Sequence, residues 1–239
     1  MPDALTTTLA TLSILLATGF GVGALNRDAF SSRWLIFAAA LVFVNGAALS
    51  NLFGVLPDMF SKLHWNWQGK ILAVLSTLAI ALHPAIGWRR IGLTLAQNQE
   101  GRRTTYVVLL IALAAVTVGA LLSNDPPPTP EDLAFQLTMP GLDEETGYRG
   151  LLLLALNEAF KSRKNALGIE LGFGALFSCA LFGMAHGFIF THGQFGFDVI
   201  TVIATGLIGL FLLWLRERTG SLVVPIIAHN CINSIQYIL

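Results

Sequence analysis

Long apolar runs separated by short polar clusters are the dominant pattern of the chain. An α-helix needs about 20 mostly apolar residues to cross the hydrocarbon core of a bilayer. The pattern predicts about eight such segments: Leu5–Leu25, Trp34–Leu56, Ile71–Trp88, Thr105–Leu122, Glu144–Phe160, Ile169–Phe190, Val199–Leu215 and Leu222–Ile238. Between the fourth and fifth lies SNDPPPTPEDLAFQ, which is too polar and too rich in proline to span. The leading MPDA carries no Lys or Arg side chain and a long apolar stretch follows, so the first segment reads as a span and not as a cleaved signal peptide. No repeat of fixed period is visible.

Composition agrees with this reading. Hydrophobic residues make up 54% of the chain and charged residues 12%, where a soluble domain carries about a quarter. Mean hydropathy is +0.69. The expected fold is therefore all-α, a polytopic membrane helix bundle whose partner is the lipid bilayer, as in a multi-pass protein of a bacterial-type plasma membrane. Three stretches make up this one integral domain: N-terminal helices over 1–123, a Pro-rich linker or lid over 124–143, and helices over 144–239 that hold nearly all the candidate chemistry. The net charge of zero gives no nucleic-acid footprint. Cys179 and Cys231 sit in apolar runs and read as buried thiols. No feature of the sequence fixes an oligomeric state.

The loops differ sharply in basic residues. With eight spans, one side receives Arg27, Arg33, Arg89, Arg90, Arg102, Arg103, Lys161, Arg163, Lys164, Arg216 and Arg218; the other receives Lys62 and Lys70. Short cytoplasmic loops are enriched in Lys and Arg, so the first side is expected in the cytoplasm, with both termini outward.

Three local patterns place ionisable or amide groups in or at the mouths of apolar segments: DEETGYRG with Glu144, Glu145 and Arg149; FGMAH with Phe182 and His186; and HNCIN with His229 and Asn233. A charged group at membrane depth costs roughly 2.5–3.5 kcal/mol on insertion scales, which makes each a functional candidate. On α-helical geometry Glu145 and Arg149, four apart, share a face and pair. Glu144 points elsewhere and is free to serve as a general base. All four of Glu144, His186, His229 and Asn233 fall in the same half of the bilayer. Each pattern alone has a structural explanation, such as an ion pair or interhelical hydrogen bonds. Together, a carboxylate, two imidazoles and an amide suit water activation and oxyanion stabilisation. His64, in the Trp-rich LHWNW, reads as part of an interfacial belt, and His83 and His192 as structural. HExxH and GxSxG are absent.

The three patterns in this order resemble the CAAX prenyl protease and bacteriocin-processing family of intramembrane proteases, also called the abortive-infection family, whose signature is EExxxR, FxxxH and HxxxN. The resemblance runs from about Leu142 to the C-terminus. It implies hydrolysis of a peptide bond in a membrane-associated protein or peptide, the prenylated CAAX type included. By that resemblance Glu144 and His186 activate water, His229 and Asn233 stabilise the oxyanion, and Glu145, Arg149 and Phe182 support the site. It also raises a Zn²⁺ held by Glu144, His186 and His229, since zinc takes N and O ligands. The alternative reading is a transporter or immunity protein that uses the intramembrane Glu and His as a proton or ion site. The stretch from Asn124 to Asp143 is expected to form a lid, with Phe135 and Leu142 turned to apolar surroundings.

Overall fold

The computed structural model describes residues 2–123, 128–235 and 237–238. The chain runs through α1 (Asp3–Leu25), α2 (Ser32–Leu49), α3 (Trp67–Ala81) and α4 (Arg102–Leu121). The short α5 (Pro130–Gln136) leads to α6, which has a wide π-helical part, Gly141–Leu152, and an α-helical part, Leu153–Ala159. A hairpin of β1 (Arg163–Ala166) and β2 (Ile169–Gly172) precedes α7 (Phe173–Gly187). A second hairpin, β3 (Phe188–Thr191) and β4 (Gln194–Phe197), precedes α8 (Val199–Thr219), and α9 (Val223–Ile235) closes the bundle.

Each predicted apolar segment contains a helix, but the helices differ in length and apolarity. Among the described residues, α1, α2, α4 and α8 are long and apolar enough to cross a membrane, whereas α3, α7 and α9 are shorter. The 13 residues of α9 rise only about 20 Å at 1.5 Å per residue, against a core of about 30 Å. Local chemistry explains the truncations. The second segment stops at Leu49 because Asn51, Leu52 and Phe53 take positive φ, a left-handed conformation that cannot continue the helix. Asn66 caps α3 by accepting the Gly69 N–H at 3.0 Å, and Pro84 follows its end. The sixth segment gives its first residues to β2 and its last to β3. The second hairpin turns on His192 and Gly193, both at positive φ, which accounts for His192 as a turn residue.

The main core joins α1, α2, α6 and α7 through Leu15, Leu35, Ala38, Leu151, Leu156 and Leu181, all nearly inaccessible. Close helix approach replaces much of the hydrophobic drive that lipid removes. A Cβ on Gly183 would meet the Val202 carbonyl, and one on Gly187 would meet the Val202 side chain, so these two glycines on one face let α7 lie against α8. Cys179 is buried and Cys231 half-buried.

The linker is more ordered than its composition suggests, though residues 124–127 of the expected lid lie outside the described residues. Thr129 and Asp132 form a reciprocal capping box at the start of α5. Phe135 is buried, stacked on Trp65 at a 4.8 Å centroid distance and edge-on to Trp67 at 5.1 Å. Leu142, by contrast, is exposed. Glu131 Oε1 accepts the backbone N–H groups of His64 and Trp65 at 3.0 and 3.1 Å and the indole N–H of Trp67 at 3.2 Å. The Trp-rich loop, expected to be an interfacial belt, therefore also clamps α5. Partial desolvation opposes ionisation of Glu131, but those three donors outweigh it and hold its carboxyl below the ordinary 4.5. A carboxyl whose pKa is lowered on folding stabilises the fold above the unfolded value and loses that contribution as pH falls through the folded one. Amide-exchange protection of residues 130–136 should therefore be level from about pH 7 to about pH 5 and fall at more acid pH. Glu131→Gln should lessen that acid loss, the remainder belonging to Asp132, whose carboxyl the Thr129 and Trp65 hydrogen bonds also hold low.

Candidate active site

The wide part of α6 decides what its acidic residues can reach. Hydrogen bonds from i to i+5 give more residues per turn than an α-helix, and such segments concentrate at functional sites. Successive side chains then diverge less, and Asp143, Glu144 and Glu145 all turn inward. Asp143 and Glu145 are buried, and the Glu144 side chain is only 14% exposed.

Each carboxylate meets a cation or imidazole from another turn or element. Glu145 Oε1 accepts from Arg149 Nη1 at 3.0 Å, the predicted pair, and also from His229 Nδ1 at 2.7 Å. Arg149 lies over the Phe182 ring, with Cζ 3.9 Å from its centroid, a favourable cation–π placement. Glu144 Oε1 accepts from Lys70 Nζ at 2.5 Å, and Asp143 Oδ2 lies 3.0 Å from the same ammonium. Glu144 is therefore not the isolated carboxylate that α-helical spacing implied: it is ion-paired to α3.

The other oxygen of Glu144 faces the histidines. Oε2 lies 3.8 Å from His186 Nε2 and 3.7 Å from His229 Nε2, is buried and has no hydrogen-bond partner among the described residues. The tautomers follow from the far sides of the rings. His186 Nδ1 contacts the Phe182 carbonyl at 2.8 Å, which can only accept, so Nδ1 carries the proton. His229 Nδ1 donates to Glu145 by the same reasoning. In the neutral rings both Nε2 atoms are then lone-pair acceptors. Three acceptors converge on one small region, an arrangement that receives a proton donor such as water.

The amides divide differently. Asn233 Nδ2 donates to Gln136 Oε1 at 3.2 Å. Asn230 is the structural amide: its Oδ1 accepts the Gly141 N–H at 2.7 Å and its Nδ2 donates to the Thr138 carbonyl at 3.3 Å. A Cβ at Gly141 would fall against the Ile226 carbonyl and that Asn230 oxygen, so only glycine allows α6 to start this close to α9. Lys70, Asp143, Gln136 and Asn230 were not singled out in the sequence. The available signal was a lysine beside an apolar run and three acids in a row.

His186 is the more accessible histidine. It borders a cleft of about 520 Å³ shared with Tyr148, Met184, Thr7, Thr8 and Phe190, a volume of the order of small-ligand sites. His64 and His83 lie outside this cluster. Glu144, His186 and His229 have the donor types zinc accepts, but one oxygen of that carboxylate is ion-paired to Lys70. No group of three His, Cys, Asp or Glu side chains among the described residues is placed to hold a metal.

Glu145 compensates a fully buried Arg149. Breaking a buried pair by removing one charge costs about 3–5 kcal/mol. Glu145→Gln should therefore sharply lower the melting temperature and the folded yield in detergent. Glu131→Gln, at the rim, should lower it far less.

Residues 128–235 match the family model described as type II CAAX prenyl endopeptidase Rce1-like. No curated relative and no solved structure matches the chain. The matched segment holds all three motifs and every candidate side chain except Lys70, and it supports placing the chain in the CAAX prenyl protease and bacteriocin-processing family of intramembrane proteases.

Proposed function

We propose that the protein is an intramembrane endopeptidase that hydrolyses a peptide bond of a membrane-associated protein or peptide, with Glu144 as the general base. The observation that carries this reading is the convergence of Glu144 Oε2 with the Nε2 atoms of His186 and His229. A water among these atoms donates a hydrogen bond to Glu144 Oε2 and is polarised toward hydroxide. As its oxygen attacks the scissile carbonyl, the proton passes to Glu144. His229 takes up a second proton at Nε2 from solvent before the attack, and that Nε2–H, with the Asn233 amide, stabilises the tetrahedral oxyanion, while Glu145 is shared between the imidazolium and Arg149. The C–N bond then breaks as the proton held on Glu144 moves to the leaving nitrogen, with His186 positioning the water and relaying that proton. No metal is needed for this cycle, because the Lys70 ammonium already neutralises part of the anionic site.

Two further features support the reading. The cleft at His186 leads away from the site along α1, α2 and β3, giving substrate a path that avoids the packed core. The cluster also lies at the end of the bundle opposite the Arg-rich loops. By the positive-inside bias it opens to the outer half of the bilayer, toward an exported or outer-leaflet substrate.

The test is cleavage of a quenched fluorescent peptide by purified protein in liposomes. Glu144→Gln should still fold, with a lowered melting temperature from loss of the Lys70 ion pair, and lose at least about 100-fold in kcat, the lower range for removing general-base catalysis. A chelator should leave the parent rate unchanged. Retention of most activity by Glu144→Gln defeats the general-base assignment, and chelator inhibition reversed by Zn²⁺ defeats the metal-free cycle.

A further inference from the structure

The ammonium of Lys70 is the one participant in the cluster, among the described residues, that comes from the N-terminal half of the chain. It is the fourth residue of α3, near the helix N-terminus, where the macrodipole disfavours a cation. Nothing on α3 itself explains it there. Its side chain is 13% exposed, and its two partners are Glu144 Oε1 at 2.5 Å and Asp143 Oδ2 at 3.0 Å. Both separations are short enough for charge-assisted bonds, which are roughly twice as strong as neutral ones.

A carboxylate has two equivalent oxygens and a broad, roughly two-fold terminal torsion. A general base needs one of them aimed at the water and kept there. We propose that Lys70 is a positioning residue of the reaction, gripping Oε1 of Glu144 so that Oε2 stays turned toward His186 and His229. The proposal rests on the protease reading and adds to it a residue outside the three motifs and outside residues 128–235. Asp143 complements this grip by holding the other side of the ammonium, which fixes where the grip is applied. The first half of the chain then contributes to the chemistry, and not solely to the membrane scaffold.

A purely structural Lys70 would exist to neutralise buried Asp143, and the two roles separate experimentally. Lys70→Met should lower kcat by about 100-fold, the scale set by a misplacement of about 1 Å, with KM within about two-fold of the parent. If Lys70 positions Glu144, adding Asp143→Asn to Lys70→Met restores part of the thermal stability and leaves kcat low. Recovery of parent-like kcat in that double variant overturns the proposal, as does full activity in Lys70→Met alone.

A second measurement does not depend on cleavage. The melting-temperature losses of Lys70→Met and Glu144→Gln should be less than additive when combined, because each removes the same ion pair; additive losses overturn the pairing. Should Lys70→Met alone fail to insert, recovery of folded protein by adding Glu144→Gln supports the pair, and recovery by Asp143→Asn only overturns it. A parent that cleaves nothing defeats the protease reading, while the stability cycle still decides whether Lys70 grips Glu144.

Discussion

Three consecutive carboxylates cannot be placed in an apolar bundle unless each finds a charge or a set of donors there, since the desolvation cost of an uncompensated ion amounts to several kcal/mol. Much of the structure around Asp143, Glu144 and Glu145 follows from that constraint. Arg149 comes from one turn along the same helix, Lys70 from α3, His229 from α9 and His186 from α7. Three helices, α6, α3 and α9, are tied together at one short stretch of α6 by polar contacts whose loss would strand a buried charge, and α7 brings His186 alongside. Phe182 completes the enclosure by covering the Arg149 guanidinium and packing against both histidine rings.

Helix length works with this charge pairing. Lys70, His186 and His229 lie on the three shorter apolar helices among the described residues. Lys70 lies at the beginning of α3 and His186 at the end of α7, so both are presented near helix termini. Irregular backbone at membrane depth is tolerated only where protein shields it or it lines a water-filled cavity. Here β3 continues directly from α7 and lines the cleft beside His186. The full-length apolar helices α1, α2, α4 and α8 provide the rest of the crossing.

The sequence disclosed the helical, membrane-type fold and the identity of the central side chains, because hydropathy and the three motifs are local signals. It also disclosed the Glu145–Arg149 pair, which depends only on i,i+4 spacing. Three features were not legible. Assuming 100° per residue sent Glu144 away from its neighbours, whereas the wider helix from Gly141 to Leu152 turns all three acids inward. The partner of Glu144 is 74 residues away in sequence, a distance no periodicity spans. The amide that fastens α6 to α9 is Asn230 and not the motif's Asn233, which bonds instead to Gln136. Boundaries failed for a similar reason: left-handed residues at 51–53 and the two hairpins are set by turn geometry that an apolar run conceals.

The unequal halves of the chain can be reconciled on this basis. The matched segment begins at residue 128, yet α5 at its start is held by Trp65 and Trp67, and Glu144 is held by Lys70, all from the loop and first turn of α3. These contacts occupy a single short segment, residues 64–70, so the N-terminal helices need not resemble any family pattern along their length to complete the site. Their apolar faces are constrained by lipid and by packing, which many sequences satisfy. A side-chain cluster built this way looks confined to the second half of the sequence while depending physically on both halves.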